Sequence, residues 1–134
     1  MKKYVLDSSA VLAFLEERPG AEEVESLLAK ATGPDHSVLM SIVTWGELDA
    51  VIRRERGQAT ARAKIEEVQQ LPIEPVEFDA DLAALAAELS GQCRVSYLTA
   101  VSAATAKAKK AVLVTAEKEA ANLSDQVKVT VIGG

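Results

Sequence analysis

The chain has one cysteine, one histidine and few aromatic residues, which make up 4% of its 134 positions. A single thiol, Cys93, forms no internal disulfide and supplies no thiolate metal cluster, so a reducing, cytoplasmic setting is the expectation. The lone His36 has no second ligand at metal-binding spacing and reads as a solvated side chain in a loop-like stretch. No glycine-rich loop of the phosphate-cradling or dinucleotide-binding kind is present. No apolar run approaches the roughly 20 residues of a membrane helix. The apolar start behind Met1, Lys2 and Lys3 is interrupted by Asp7 and lacks a small-residue cleavage site before Glu16, Glu17 and Arg18. A soluble, intracellular protein is expected, with no membrane association.

What is present is aliphatic. Hydrophobic residues make up 49% of the chain and are mostly Ala, Val and Leu, the composition of a packed, helix-rich domain. There is no internal repeat or long linker, so residues 1–134 read as one domain. The net charge of −5 is unlike an electrostatic DNA-binding module, yet leaves room for a local basic face that meets RNA.

Periodicity divides the chain into alternating elements. Tyr4-Val5-Leu6 predicts a strand, and Asp7-Ser8-Ser9 supplies cap chemistry for a helix from Ala10 to about Glu17. Val24, Leu27, Leu28 and Ala31 mark one face of a helix over Ala21 to Ala31. Val38 to Ser41 is a second strand, followed by a helix bearing Trp45, Glu47, Leu48, Val51 and Ile52 that ends near Gly57. Trp45 reads as core or interface packing. Ala59 to Leu71 is helical, and Glu74 to Phe78 is a strand whose Pro75 marks a start or a sheet edge. Helices over Leu82 to Leu89 and Ser96 to Lys110 follow, then a strand Val112 to Thr115, a short helix around Lys118 to Leu123 and a final strand Val127 to Ile132. Strands alternating with helices predict an α/β domain with a mainly parallel sheet.

The acids fall where such a sheet would use them. Asp7 directly follows the first strand, Glu117 comes two residues after the strand ending at Thr115, and Glu47 is placed in the first turn of the helix after Val38 to Ser41. In an open parallel sheet these positions gather at the carboxyl edge, where ligands bind. Carboxylates converging there without histidines or thiols suit an oxygen-seeking cation such as Mg²⁺ or Mn²⁺, which activates water and neutralises phosphodiester charge. Each acid also has a plainer reading: Asp7 as a helix N-cap, Glu47 as a partner of the helix dipole, Glu117 as a surface acid.

The motifs narrow the choice. Lys3 to Ala13 resembles the opening motif of VapC-type PIN domains, and Met40 to Glu47 resembles the second. Leu71-Pro72-Ile73 and the stretch from Phe78 to Leu89 are similar to the middle section, Ser96 to Ala100 to the third motif, and Leu113 to Glu119 to the fourth. This resemblance covers essentially the whole chain. It implies an α/β/α sandwich, a Mg²⁺- or Mn²⁺-dependent endoribonuclease acting as the toxin of a type II toxin–antitoxin system, a homodimer, and a cognate antitoxin laid across the active-site groove. By position it makes Asp7, Glu47 and Glu117 the metal-binding acids, Glu117 standing where the family usually has Asp, with Thr115 a hydroxyl beside them. Thr99 is the departure, a neutral hydroxyl where the third motif ordinarily carries a metal-binding aspartate. On this pattern Ser96, Thr99 and Ser102 form a hydroxyl stripe along the groove.

A second reading follows from Thr99: a PIN scaffold without turnover that binds an antitoxin or RNA. A receiver-like phospho-acceptor domain is disfavoured, since Ser8 and Ser9 rather than a second acid follow Asp7. Arg53, Arg54, Arg56, Arg62 and Lys64 form a basic group around Gly57 suited to RNA backbone or an acidic partner. Lys107, Lys109 and Lys110 read as a solvated helix end whose cations complement the dipole.

Overall fold

The computed structural model describes residues 1–134. Five strands run parallel in the order β3-β2-β1-β4-β5. They are β1 (Lys2–Leu6), β2 (His36–Ser41), β3 (Ile73–Val76), β4 (Val112–Thr115) and β5 (Val129–Val131). Six α-helices connect and cover them: α1 (Ser8–Leu15), α2 (Ala21–Lys30), α3 (Ile42–Arg56), α4 (Gln58–Gln69), α5 (Ala80–Cys93) and α6 (Tyr97–Lys109). Lys118–Leu123 forms a 3₁₀ helix. No helix is long and apolar enough to cross a membrane.

Alternation along the strands builds two cores. Leu6, Val38, Met40, Ile73 and Val114 face α1 to α4, whereas Val5, Leu39, Val76 and Leu113 face α5, α6 and the 3₁₀ helix. The two clusters contain 17 and 16 buried residues, so neither face of the sheet meets water. Strands buried on both faces read as unbroken apolar runs, which is why β1, β2 and β4 were visible in the sequence. Pro75 lies within β3, an edge strand that tolerates its missing N–H.

Several boundaries differ from expectation. β3 starts at Ile73 rather than Glu74 and stops at Val76, and β5 is shorter than the alternating stretch from Val127 to Ile132. α5 begins at Ala80 rather than Leu82, directly behind the cap Asp79, whose carboxylate accepts from Leu82 N at 2.9 Å, and it runs on to Cys93 rather than stopping at Leu89. His36 opens β2 instead of lying in a loop, half-buried with its ring stacked on Tyr4 at 6.3 Å between centroids. Trp45 is partly buried against the α1–α4 core.

The chain closes on itself at Gly20, whose φ of +99° admits glycine with least strain. A Cβ there would meet Ile132 Cδ1 at 2.8 Å, so the close approach of the C-terminal segment also requires its absence.

Candidate active site

The strand order reverses beside β1. From β1 the chain steps outward to β2 and β3, then returns across the sheet to β4 on the other flank. The segment after β1 becomes α1 on one face, while the segment after β4 leads to the 3₁₀ helix on the other. A crevice opens between diverging connections of this kind. Asp7 and Glu117 stand on its two sides, each at the end of its strand.

Asp7 is 4% exposed and carries a dense set of hydrogen bonds. It is the N-cap of α1, Oδ1 accepting from Ala10 N at 3.0 Å and from Ser9 Oγ at 2.6 Å. Oδ2 accepts from Thr115 Oγ1 at 2.5 Å. Both hydroxyls are themselves held by the segment after β4: Ser9 Oγ accepts from Ala116 N at 2.8 Å and Thr115 Oγ1 from Glu117 N at 3.0 Å. Two hydroxyl bridges therefore fix the backbone of Ala116 and Glu117 to the carboxylate of Asp7. An ionised carboxylate offers about four acceptor positions. Three are occupied, and the remaining one is on Oδ2.

The helix begins directly at Ile42, because Ser41 caps it through Val43 N at 3.2 Å. Glu47 is therefore its sixth residue, beyond the first turn, and the dipole reading of this acid falls away. Burial raises the Glu47 pKa, the Ser8 hydroxyl opposes the rise, and the charges of Asp7 and Glu117 add to it. Burial also raises the pKa of Asp7, opposed by Ser9, Thr115 and Ala10 and reinforced by the Glu117 charge. The three acids are near enough to repel one another, the electrostatic signature of a site that accepts positive charge.

A cleft of about 190 Å³ joins them, lined by Asp7, Ser8, Glu47, Ser96, Leu98, Thr99, Glu117 and Glu119. No three carboxylate, imidazole or thiolate groups are drawn together tightly enough to enclose an ion. The acids line the walls of an open crevice instead. Thr99 faces it from α6, 6% exposed, with Ser96 Oγ donating to Thr99 Oγ1 at 2.9 Å and accepting from Thr99 N at 3.2 Å. Thr115 lies behind Asp7 and takes part through it.

Two members of the expected arrangement are elsewhere. Ser102 is fully buried, its hydroxyl 3.2 Å from that of Thr44, so the hydroxyl stripe along the groove ends at Thr99. Part of the arginine group is occupied by acids of the chain itself, with Arg56 on Glu16 at 2.8 Å, Arg53 on Asp49 at 2.9 Å and Lys64 on Glu67 at 3.4 Å. Conversely, Glu119 and the bridging role of Ser9 had no sequence signal beyond their closeness to Glu117 and Asp7.

A parallel α/β sandwich with an all-oxygen acidic crevice at its switch point defines the class of protein. The PIN domain family model matches residues 4–126, and the chain belongs to the PIN domain family. No curated protein matches it in sequence. Solved structures share the fold over nearly full length. A Rickettsia felis VapBC2 complex bound to a promoter DNA fragment contains a chain with TM-score 0.78 and 16% identity, covering 97% of this chain and 98% of its own. VapC20 of Mycobacterium tuberculosis, a sarcin-ricin loop cleaving toxin, gives 0.70 at 19% identity, covering 92% and 95%. A DNA-bound VapBC from Salmonella typhimurium gives 0.72 at 15% identity, covering 98% of each.

Proposed function

We propose that this chain is a VapC-like toxin, an endoribonuclease dependent on Mg²⁺ or Mn²⁺ that acts in the cytoplasm and is restrained by a cognate antitoxin. The observation that carries the reading is the meeting of Asp7, Glu47 and Glu117 in one crevice at the carboxyl edge of a parallel sheet. The fold shared with chains of VapBC complexes supports the antitoxin partner; a homodimer is proposed with it.

The donor set fits the ion. All the ligands available are oxygens, and open walls rather than a closed cage suit a small cation that retains several waters. Asp7 would contribute Oδ2, its single open acceptor position, with Glu47 and Glu117 from the facing walls. When bound, such a cation lowers the pKa of water and neutralises charge on a phosphodiester. In the hydrolysis, a water oxygen bonds to phosphorus, one bridging P–O bond breaks, and the departing oxygen takes up a proton.

The chain's own residues supply the preorganisation. Ser9 and Thr115 hold the Asp7 carboxylate in one orientation and keep Glu117 in register with it. The hydroxyls of Ser96 and Thr99 offer neutral hydrogen bonds to a phosphate oxygen or a water on the α6 wall. Incubating the pure protein with RNA and Mn²⁺ beside Asp7→Asn tests the reading. Cleavage by the parent and none by the variant is expected; equal cleavage by both contradicts it.

Thr99 favours one alternative, a scaffold that engages antitoxin or RNA without turnover. Under that alternative the parent is inert in the same assay, and Thr99→Asp creates metal binding that the parent lacks.

A further inference from the structure

The acidic crevice is small beside a groove at the opposite, amino edge of the sheet. That groove, of about 570 Å³, is lined by Lys2, Lys3, Lys107, Lys110 and Lys128 and by no acidic residue. In a chain of net charge −5 this gathers five of the 15 basic side chains around one depression. None of the five is in a salt bridge, whereas the basic group around Gly57 is partly neutralised by acids. Lys107 Nζ donates to Gln126 Oε1 at 2.9 Å, a neutral partner that leaves its charge uncompensated.

Sequence alone accounts for part of the group. Lys107 and Lys110 lie at the end of α6, where cations complement the helix dipole. That reason does not extend to Lys2 and Lys3 on β1 or to Lys128 just before β5, which meet the helix end only through the fold. The adjoining groove over β3 and α5 carries Glu74, Glu77, Asp79 and Asp81, which confines a polyanion to the β1–β4–β5 side. Acids thus line both the carboxyl-edge crevice and the groove over β3 and α5, which shares Lys3, while the lysines without an ion-pair partner gather on the β1–β4–β5 side of the amino edge.

We propose that the lysine groove binds the RNA phosphate backbone at a distance from the cleavage crevice, making this an anchoring surface for long or folded RNA. The proposal rests on the ribonuclease reading for its choice of RNA over other polyanions. The five residues of β1 separate the two sites by about 16 Å at roughly 3.3 Å per residue. An oligonucleotide shorter than that span reaches the crevice alone; a folded RNA engages both.

The test is RNA binding by fluorescence anisotropy in metal-free buffer across a salt series, which needs no cleavage. Substituting Lys2→Gln, Lys110→Gln and Lys128→Gln together is expected to weaken binding of a folded RNA at least about tenfold. It should also make the slope of log affinity against log salt shallower by about 2 to 3, since each of the three phosphate contacts contributes about 0.7 on single-stranded and about 0.9 on duplex segments. The triple Lys→Arg variant should bind as the parent does, which separates lost charge from lost folding. In the cleavage assay the Gln variant should show a raised KM for folded RNA, an unchanged kcat, and unaltered cutting of a short oligonucleotide. Unchanged affinity and slope in the Gln variant overturn the proposal. So does a parent that binds polyglutamate as tightly as RNA, or one that binds no RNA. Equal cleavage by the parent and Asp7→Asn sinks the nuclease reading but leaves the binding result to stand by itself.

Discussion

Thr115 Oγ1 donates to Asp7 Oδ2 at 2.5 Å across 108 positions of sequence, and the same oxygen accepts from Glu117 N at 3.0 Å. One hydroxyl thereby ties the end of β4 to the end of β1 and sets where Glu117 leaves the sheet. Thr115→Val keeps the shape of the side chain and removes the hydroxyl. Because Asp7 is buried, loss of this donor should lower stability by about 1–3 kcal/mol in urea unfolding, with Thr115→Ser close to the parent. A Val variant as stable as the parent contradicts the bridge.

The pH dependence follows from the carboxylates. Burial raises the folded-state pKa of Asp7 above 3.8 and of Glu47 above 4.5, so between those values and the folded ones the native state binds more protons than the unfolded chain. These two groups therefore favour folding below their unfolded values, and that advantage is lost as pH rises through the folded ones. Asp7→Asn removes the buried charge but also one oxygen that accepts from Ala10, Ser9 or Thr115. Any gain in melting temperature over the metal-free parent at neutral pH is the balance of the two, and that gain should shrink as pH falls towards about 4. A gain that grows on acidification contradicts the sign.

Thr99→Asp adds a carboxylate to a crevice already lined by Asp7, Glu47, Glu117 and Glu119. Without metal, like charges should lower the melting temperature. With Mn²⁺ the order should reverse, with affinity at least about tenfold tighter by calorimetry, equivalent to ~1.4 kcal/mol. An unchanged affinity would place the α6 wall outside the ion's reach.

Gly20→Ala tests the closure of the fold away from the site. The added Cβ meets Ile132 Cδ1 at 2.8 Å on a backbone with φ of +99°, and a loss of about 1–3 kcal/mol in urea unfolding is expected, with cleavage by the remaining folded protein unaffected.

Much of this was legible from the chain alone, for physical reasons that differ by residue. Asp7 and Glu117 stood out because β1 and β4, buried on both faces, are continuous apolar runs whose ends can be read directly. Ser41 concealed the start of α3: it ends a strand and caps a helix at once, which moved Glu47 from the first turn to the second. Ser102 shared a helix spacing with Ser96 and Thr99, but spacing along α6 does not tell which turn lies under Thr44. Ser9 and Glu119 were silent because their positions depend on contacts more than a hundred residues apart in one case and on a 3₁₀ turn in the other. Lys107 and Lys110 were read, with Lys109, as a solvated helix end because Lys2 and Lys3 on β1 and Lys128 just before β5 come beside that end only in the folded chain.

Asp7, Glu47 and Glu117 are proposed to share one divalent ion, and anomalous scattering from a crystal soaked in Mn²⁺ tests this most directly. The expected result is a single strong peak in the crevice, about 2.1 Å from Asp7 Oδ2 with Glu47 or Glu117 completing the protein ligands. A crevice without a peak at saturating Mn²⁺, or a peak bound by other residues, contradicts it.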